Sequence, residues 1–71
     1  MSVAKNIEIT SSSSKGFDDA INSGINRASK TISNIRGAWV KEQKLEVADG
    51  KVTEYRVTMI VTFVLTDDDD E

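Results

Sequence analysis

The run from Val52 to Thr66, VTEYRVTMIVTFVLT, is the feature that most restricts how this chain folds. Tyr55, Val57, Met59, Val61, Phe63 and Leu65 put an apolar side chain at every second position, and Glu54, Arg56, Thr58 and Thr62 fall between them. A period of two belongs to a β-strand with one buried face, because successive side chains point to opposite sides. Such a strand spans about 50 Å if straight, against about 25 to 30 Å for the diameter of a compact chain this long. It must therefore curl, overhang its own domain or be shared with other copies. Ile60 and Val64 make even the nominally polar face part apolar near its end, which is a first sign of self-association.

The 71 residues make one domain at most, and a domain this short buries only about 60% of its unfolded surface. Small chains compensate with disulfides, a structural metal or association. With no Cys and no His, the choices left are association or an oxygen-ligated ion. No apolar run approaches the roughly 20 residues of a membrane span, and MSVAKNIEIT has no hydrophobic signal core, so a cytoplasmic protein without a membrane partner is expected. Removing the five carboxylates of residues 67–71 from the net charge of −3 leaves +2, with no basic cluster to attract nucleic acid. Acid–base catalysis would fall to carboxylates, lysines or Tyr55, none of them in a catalytic spacing, so no enzymatic activity is expected. The run Asp67 to Glu71 reads as a solvated, disordered acidic tail outside a domain of residues 1–66, and its self-repulsion makes it a diffuse cation binder at best. It lacks the spacing of an EF-hand loop.

In chain order, Val3, Lys5, Ile7 and Ile9 alternate with Ala4, Asn6, Glu8 and Thr10, which predicts a first strand with Ile7 and Ile9 inward. Ser11 to Ser14 then reads as a turn, with Ser13 or Ser14 as the helix N-cap. Phe17, Ala20, Ile21, Ile25, Ala28, Ile32 and Ile35 predict one helical stripe, with Asp18 and Asp19 in the first turns and Arg27 and Lys30 later, as the helix dipole favours. Gly24 inside this helix costs about 1 kcal/mol relative to Ala, and is either tolerated or allows another backbone to approach. Gly37 is expected at or just beyond the helix end. A second strand follows from Ala38 to Val47, and Val40 and Leu45 have opposite parity, which predicts a bulge or bend near Lys44 and Leu45. Asp49-Gly50 predicts a hairpin, so the second and third strands pair antiparallel. If Ala38 and Val40 face the helix, Trp39 faces the other way, toward a pocket or a neighbouring subunit. One helix covers only part of one face of such a sheet, and the remainder needs a partner.

The order of elements and several strings together resemble the dodecin family, small strand-helix-strand-strand proteins that assemble as hollow dodecamers and bind flavins. The strings are the Ser-rich turn with Gly16, DDAINSGINRASKT, ADGKV and EYRVTMIVTFVL, and the resemblance covers nearly all of residues 3–66. It implies an α+β fold, a β-α-β-β chain whose three-stranded antiparallel sheet wraps around one helix. It also implies self-assembly, most simply as a homododecamer, with flavin (FMN, riboflavin or FAD) bound at subunit interfaces. In flavin-binding relatives a Trp directly after the helix stacks on the isoalloxazine ring, and the corresponding residue here is Gly37, so the chain resembles a member lacking that Trp. A Gln of the last strand that bonds the flavin edge corresponds to Arg56.

The cofactor-binding candidates are therefore Trp39, Arg56 and Gly37. Trp39 lies two residues along from Gly37 on the same strand face. It either stacks a planar ligand displaced by one step, or fills the space of the flavin and closes the pocket against its symmetry mate. Arg56 either donates hydrogen bonds to a carbonyl or phosphate, or pairs with Glu42 or Glu46 across the hairpin. The alternative function is a structural or divalent-cation-binding dodecameric shell in which Glu42, Glu46 or Glu54 hold ions on symmetry axes.

Overall fold

A computed structural model describes residues 2–65 of the chain; the acidic run Asp67 to Glu71 lies outside the described residues. The elements are β1 (Val3–Ser13), α1 (Phe17–Ser29), β2 (Ile35–Ala48) and β3 (Lys51–Leu65). The predicted α+β fold is the one observed: a β-α-β-β chain with an antiparallel three-stranded sheet in the order β1-β3-β2 and one helix on one face. The long strand read first from the sequence is the central one. Its apolar positions become the core, since Val57, Met59 and Val61 are buried together with Ala20 and Ala28 of α1. Ile9, Phe17, Ile21 and Ile25 complete this layer, and the Phe17 ring meets Tyr55 edge-on at 5.2 Å between centroids.

The Asp49-Gly50 hairpin forms as expected. Both residues have positive φ, 54° and 76°, the two-residue loop geometry whose twist matches the flanking strands. Gly24 is the point where helix and sheet touch most closely. A Cβ there would sit 2.9 Å from Ser11 Cβ and 2.9 Å from Met59 Cε, so the glycine permits close approach. Met59 Cε can swing away, whereas Ser11 Cβ is fixed to the β1 backbone. Gly24→Ala is accordingly expected to lower stability by about 1 to 2 kcal/mol in a urea titration, its better helix propensity being outweighed by overpacking. An unchanged or raised midpoint would show that the strand yields.

Several boundaries differ from expectation. The serine tetrad does not end β1: Ser11, Ser12 and Ser13 remain paired with Val57, Arg56 and Tyr55, because β3 is long enough to offer them partners. Neither Ser13 nor Ser14 is the N-cap, which is Gly16 without a side-chain cap. Ser13 Oγ instead accepts the Lys15 N–H at 2.9 Å and donates to Asp19 at 2.6 Å, pinning the strand-to-helix turn. The helix stops at Ser29 rather than continuing through Ile35. Thr31 and Ile32 N–H groups close onto the Ala28 carbonyl, and Asn34 takes a left-handed φ of 65°, a conformation Asn tolerates better than most residues. The Asn34 carbonyl accepts the Val64 N–H at 3.0 Å, which docks the turn on β3. Ile35 therefore starts β2 opposite Phe63, and Gly37 lies inside this strand, not at the helix end.

The predicted change of phase in β2 is present, but it falls at Lys41 rather than near Lys44 and Leu45. Val40 faces Met59 and Glu42 faces Thr58, leaving Lys41 as the extra residue of a bulge. Ala38 and Val40 before it, and Gln43, Leu45 and Val47 after it, consequently share the helix side. The helix packs on β1 and β3. Of the residues in β2 only Ile35 and Glu46 are half-buried, and Val40, Leu45, Val47 and the adjoining Val52 stay exposed on a side that is elsewhere core. The chain extends 56 Å along its longest axis but only 19 and 13 Å across, so the sheet overhangs its helix as the length of β3 required.

Candidate functional site

The face of the sheet away from α1 is set by the even positions of β3 from Glu54 onward, the extra residue Thr53 having put Val52 opposite Val47 on the helix side. Three rows cross it. Asn6, Thr62 and Gly37 form the first, Glu8, Ile60 and Trp39 the second, and Thr10, Thr58 and Glu42 the third. The structure thus places Gly37 and Trp39 side by side on this face, as their spacing predicts, with Trp39 53% exposed. Nothing lies within 4 Å of where a Gly37 Cβ would be. An aromatic ring beside open backbone makes a shelf on which a flat molecule can lie. Polar groups border it: Thr62 Oγ1 donates to Asn6 Oδ1 at 2.7 Å, and Lys41 Nζ meets Glu8 Oε1 at 3.1 Å.

Arg56 is on the same face but is not part of this shelf. It pairs with Ser12 and Lys44, four residues along β3 from Ile60 and six from Thr62, which corresponds to about 13 and 20 Å. Its guanidinium is already engaged, with Glu54 at 3.1 Å, Ser12 Oγ at 3.3 Å and Glu46 at 3.9 Å. The across-hairpin partner is thus Glu46, with Glu54 added, and not Glu42. Within one copy, a ligand touching both Trp39 and Arg56 has to span that distance.

Hydrogen bonds from Ser12 and Arg56, with the Arg56 charge, hold the Glu54 carboxyl below its ordinary value. A carboxylate whose folded pKa is depressed stabilises the fold fully above its unfolded pKa, and that contribution disappears as pH falls through the folded value. Glu54→Gln should therefore flatten the acid limb of a stability–pH profile and leave its neutral region nearly parallel. An acid limb of unchanged slope would mean that Glu54 is not responsible.

Asn6, Glu8, Lys41 and Thr62 were not among the sequence candidates. Alternation alone puts Asn6 and Glu8 on this face, but their rows follow only from the β1–β3 register, and Lys41 joins them only through the bulge. A separate apolar groove of about 460 Å³ runs between α1 and the β1 edge, lined by Ile9, Gly24, Arg27, Ala28 and Ile32 among others, and contains none of the three candidates. Among the described residues there is no cluster of three or more Asp, Glu, His or Cys that could hold a metal ion, and no helix long and apolar enough to cross a membrane.

A single short chain with an amphipathic helix on a sheet it only partly covers, and a ring laid bare on the opposite face, defines a small α+β module with more apolar surface than it can bury. The chain belongs to the dodecin family, whose family model matches residues 3–66. It is 33% identical over 63 residues to the dodecin of Thermus thermophilus, an alignment covering 89% of this chain and 91% of that one. Its fold superposes on a dodecin from Streptomyces davaonensis with a TM-score of 0.89 and 36% identity, covering 93% and 97% of the two chains. It also superposes on a calcium dodecin from Mycobacterium tuberculosis, described as a calcium-chelating antigen with a calcium-binding site, with a TM-score of 0.78, 31% identity and 93% and 94% coverage.

Proposed function

We propose that the protein is a non-enzymatic, cytoplasmic homo-oligomer, most simply a dodecamer, that binds and sequesters a flavin or flavin-like molecule at the seams between its subunits. The observation that carries this reading is the half-exposed Trp39 ring next to the open backbone of Gly37, on the face that the protomer's own core does not use. A flat ring system buries apolar area on such a shelf, and stacking adds about 0.5 to 1.5 kcal/mol beyond that area. In this reading Trp39 is the stacking surface and Gly37 supplies the free space, as in a member that lacks the usual stacking Trp at that position. Arg56 contributes from another subunit as the polar contact. Two stacked partners would quench an excited flavin, which suits storage rather than turnover.

The test is titration of riboflavin and FMN into purified protein while following flavin fluorescence. Quenching with a stoichiometric end point supports the reading, and full retention of flavin emission at micromolar protein rules it out.

The relationship to a calcium dodecin favours a second reading, a shell that binds divalent cations and no flavin. Glu46 and Glu54 are committed to Arg56 and Lys44, and Glu42 makes no ion pair among the described residues. A cation site would therefore draw single carboxylates such as Glu42 from several copies around a symmetry axis. Calorimetry with calcium and magnesium beside the flavin titration separates the two readings.

A further inference from the structure

Lys41 has no partner in β3, because the register passes from Val40–Met59 directly to Glu42–Thr58. A bulge interrupts the ladder and re-aims side chains, and here it turns Lys41 onto the face away from the helix immediately after Trp39. From β2 the Lys41 ammonium reaches Glu8 on β1 at 3.1 Å, crossing the whole width of β3. Glu8, Ile60 and Trp39 share one row, so this ion pair borders the Trp39 shelf on the side opposite Gly37. Both side chains are about half exposed, 54% and 51%, and an exposed pair of this kind adds little to folding stability. The bulge and the long reach are thus poorly explained as devices for holding the sheet together. An ammonium has three donors, and Glu8 is its one partner among the described residues.

We infer that Lys41 is a specificity-determining contact of the Trp39 shelf: a planar ligand resting on Trp39 and Ile60 turns a carbonyl-bearing or weakly acidic edge toward Lys41 Nζ, which Glu8 anchors in place. This rests on the reading of the shelf as a planar-ligand site. It selects within that class, for rings with acceptors along one edge, such as the pyrimidine edge of an isoalloxazine, over purely apolar rings. A charge-assisted hydrogen bond formed away from bulk water also strengthens as the stacked ring excludes solvent, so the two contacts reinforce each other.

The experiment compares riboflavin binding to the full-length protein, Lys41→Met and Lys41→Arg, by quenching of flavin emission. Lys41→Met is expected to bind about ten- to a hundredfold more weakly, the scale of one hydrogen bond to a charged group. Lys41→Arg, which keeps the charge and the donors, should stay within a few fold of the unaltered protein. Circular dichroism and sedimentation of Lys41→Met should match the unaltered protein. Binding by Lys41→Met within about twofold of the unaltered protein overturns the inference and leaves the shelf reading intact. If the unaltered protein binds no riboflavin, both fall together.

Discussion

Leu45→Asp should sediment as a 7.8 kDa monomer, and the unaltered chain as a much larger assembly. Leu45 is 44% exposed on the helix side of β2, in one strip with Val40, Val47 and Val52. Among the described residues nothing is left to lay over this strip, since the helix sits on β1 and β3. Burial of one leucine is worth about 1.5 to 3 kcal/mol, and an unpaired carboxylate forced into the same seam costs several more. Together these weaken each contact by about a thousandfold or more. The exposed position means that the substitution leaves the protomer's own core untouched, so far-ultraviolet circular dichroism should still report strands and helix. An assembly of unchanged size from Leu45→Asp would mean that copies meet elsewhere, for example along the groove beside β1.

The second large effect is expected at Trp39. Trp39→Ala removes the only tryptophan of the chain and the one aromatic ring on the outer face, and should weaken flavin binding by about 2 to 4 kcal/mol, roughly thirty- to a thousandfold. Isothermal titration with riboflavin measures this directly. Because Trp39 is the sole tryptophan, its emission in the unaltered protein reports independently whether the ligand lies on the ring. The competing role for this residue makes the opposite forecast. If Trp39 fills the seam against its symmetry mate, truncation opens a cavity there, and riboflavin binds to Trp39→Ala as well as or better than to the original.

Much of this architecture is written in local pattern. The alternation from Tyr55 to Leu65 identified the central strand and its buried side, Asp49-Gly50 identified the hairpin, and the clash of parity between Val40 and Leu45 announced a bulge. These features depend on residues close together in the chain. What escaped local reading depends on partners far away. Ser11 to Ser13 have weak strand preference by themselves and become strand because Tyr55 to Val57 lie opposite. Ile32 and Ile35 continue the helical spacing, yet Asn34 turns the chain so that Val64 can bond to it. The candidate site shows the same division. That Gly37 and Trp39 share a face follows from their spacing, and that Trp39 points away from the core follows from its neighbours. The distance from Trp39 to Arg56, and the meeting of Lys41 and Glu8 on the same face, follow only from the register of three strands.

The irregularity at Lys41 also makes β2 a strand with two incompatible halves, one in which even-numbered residues look toward the helix and one in which odd-numbered residues do. Excising that single lysine would put the halves in phase: Val40 and Glu42 would follow one another as Met59 and Thr58 do opposite them, so Trp39 keeps the far surface and the Leu45 strip keeps the helix side. Trimming one codon here would therefore spare both surfaces of the strand and take away only the kink and the ammonium it aims at Glu8.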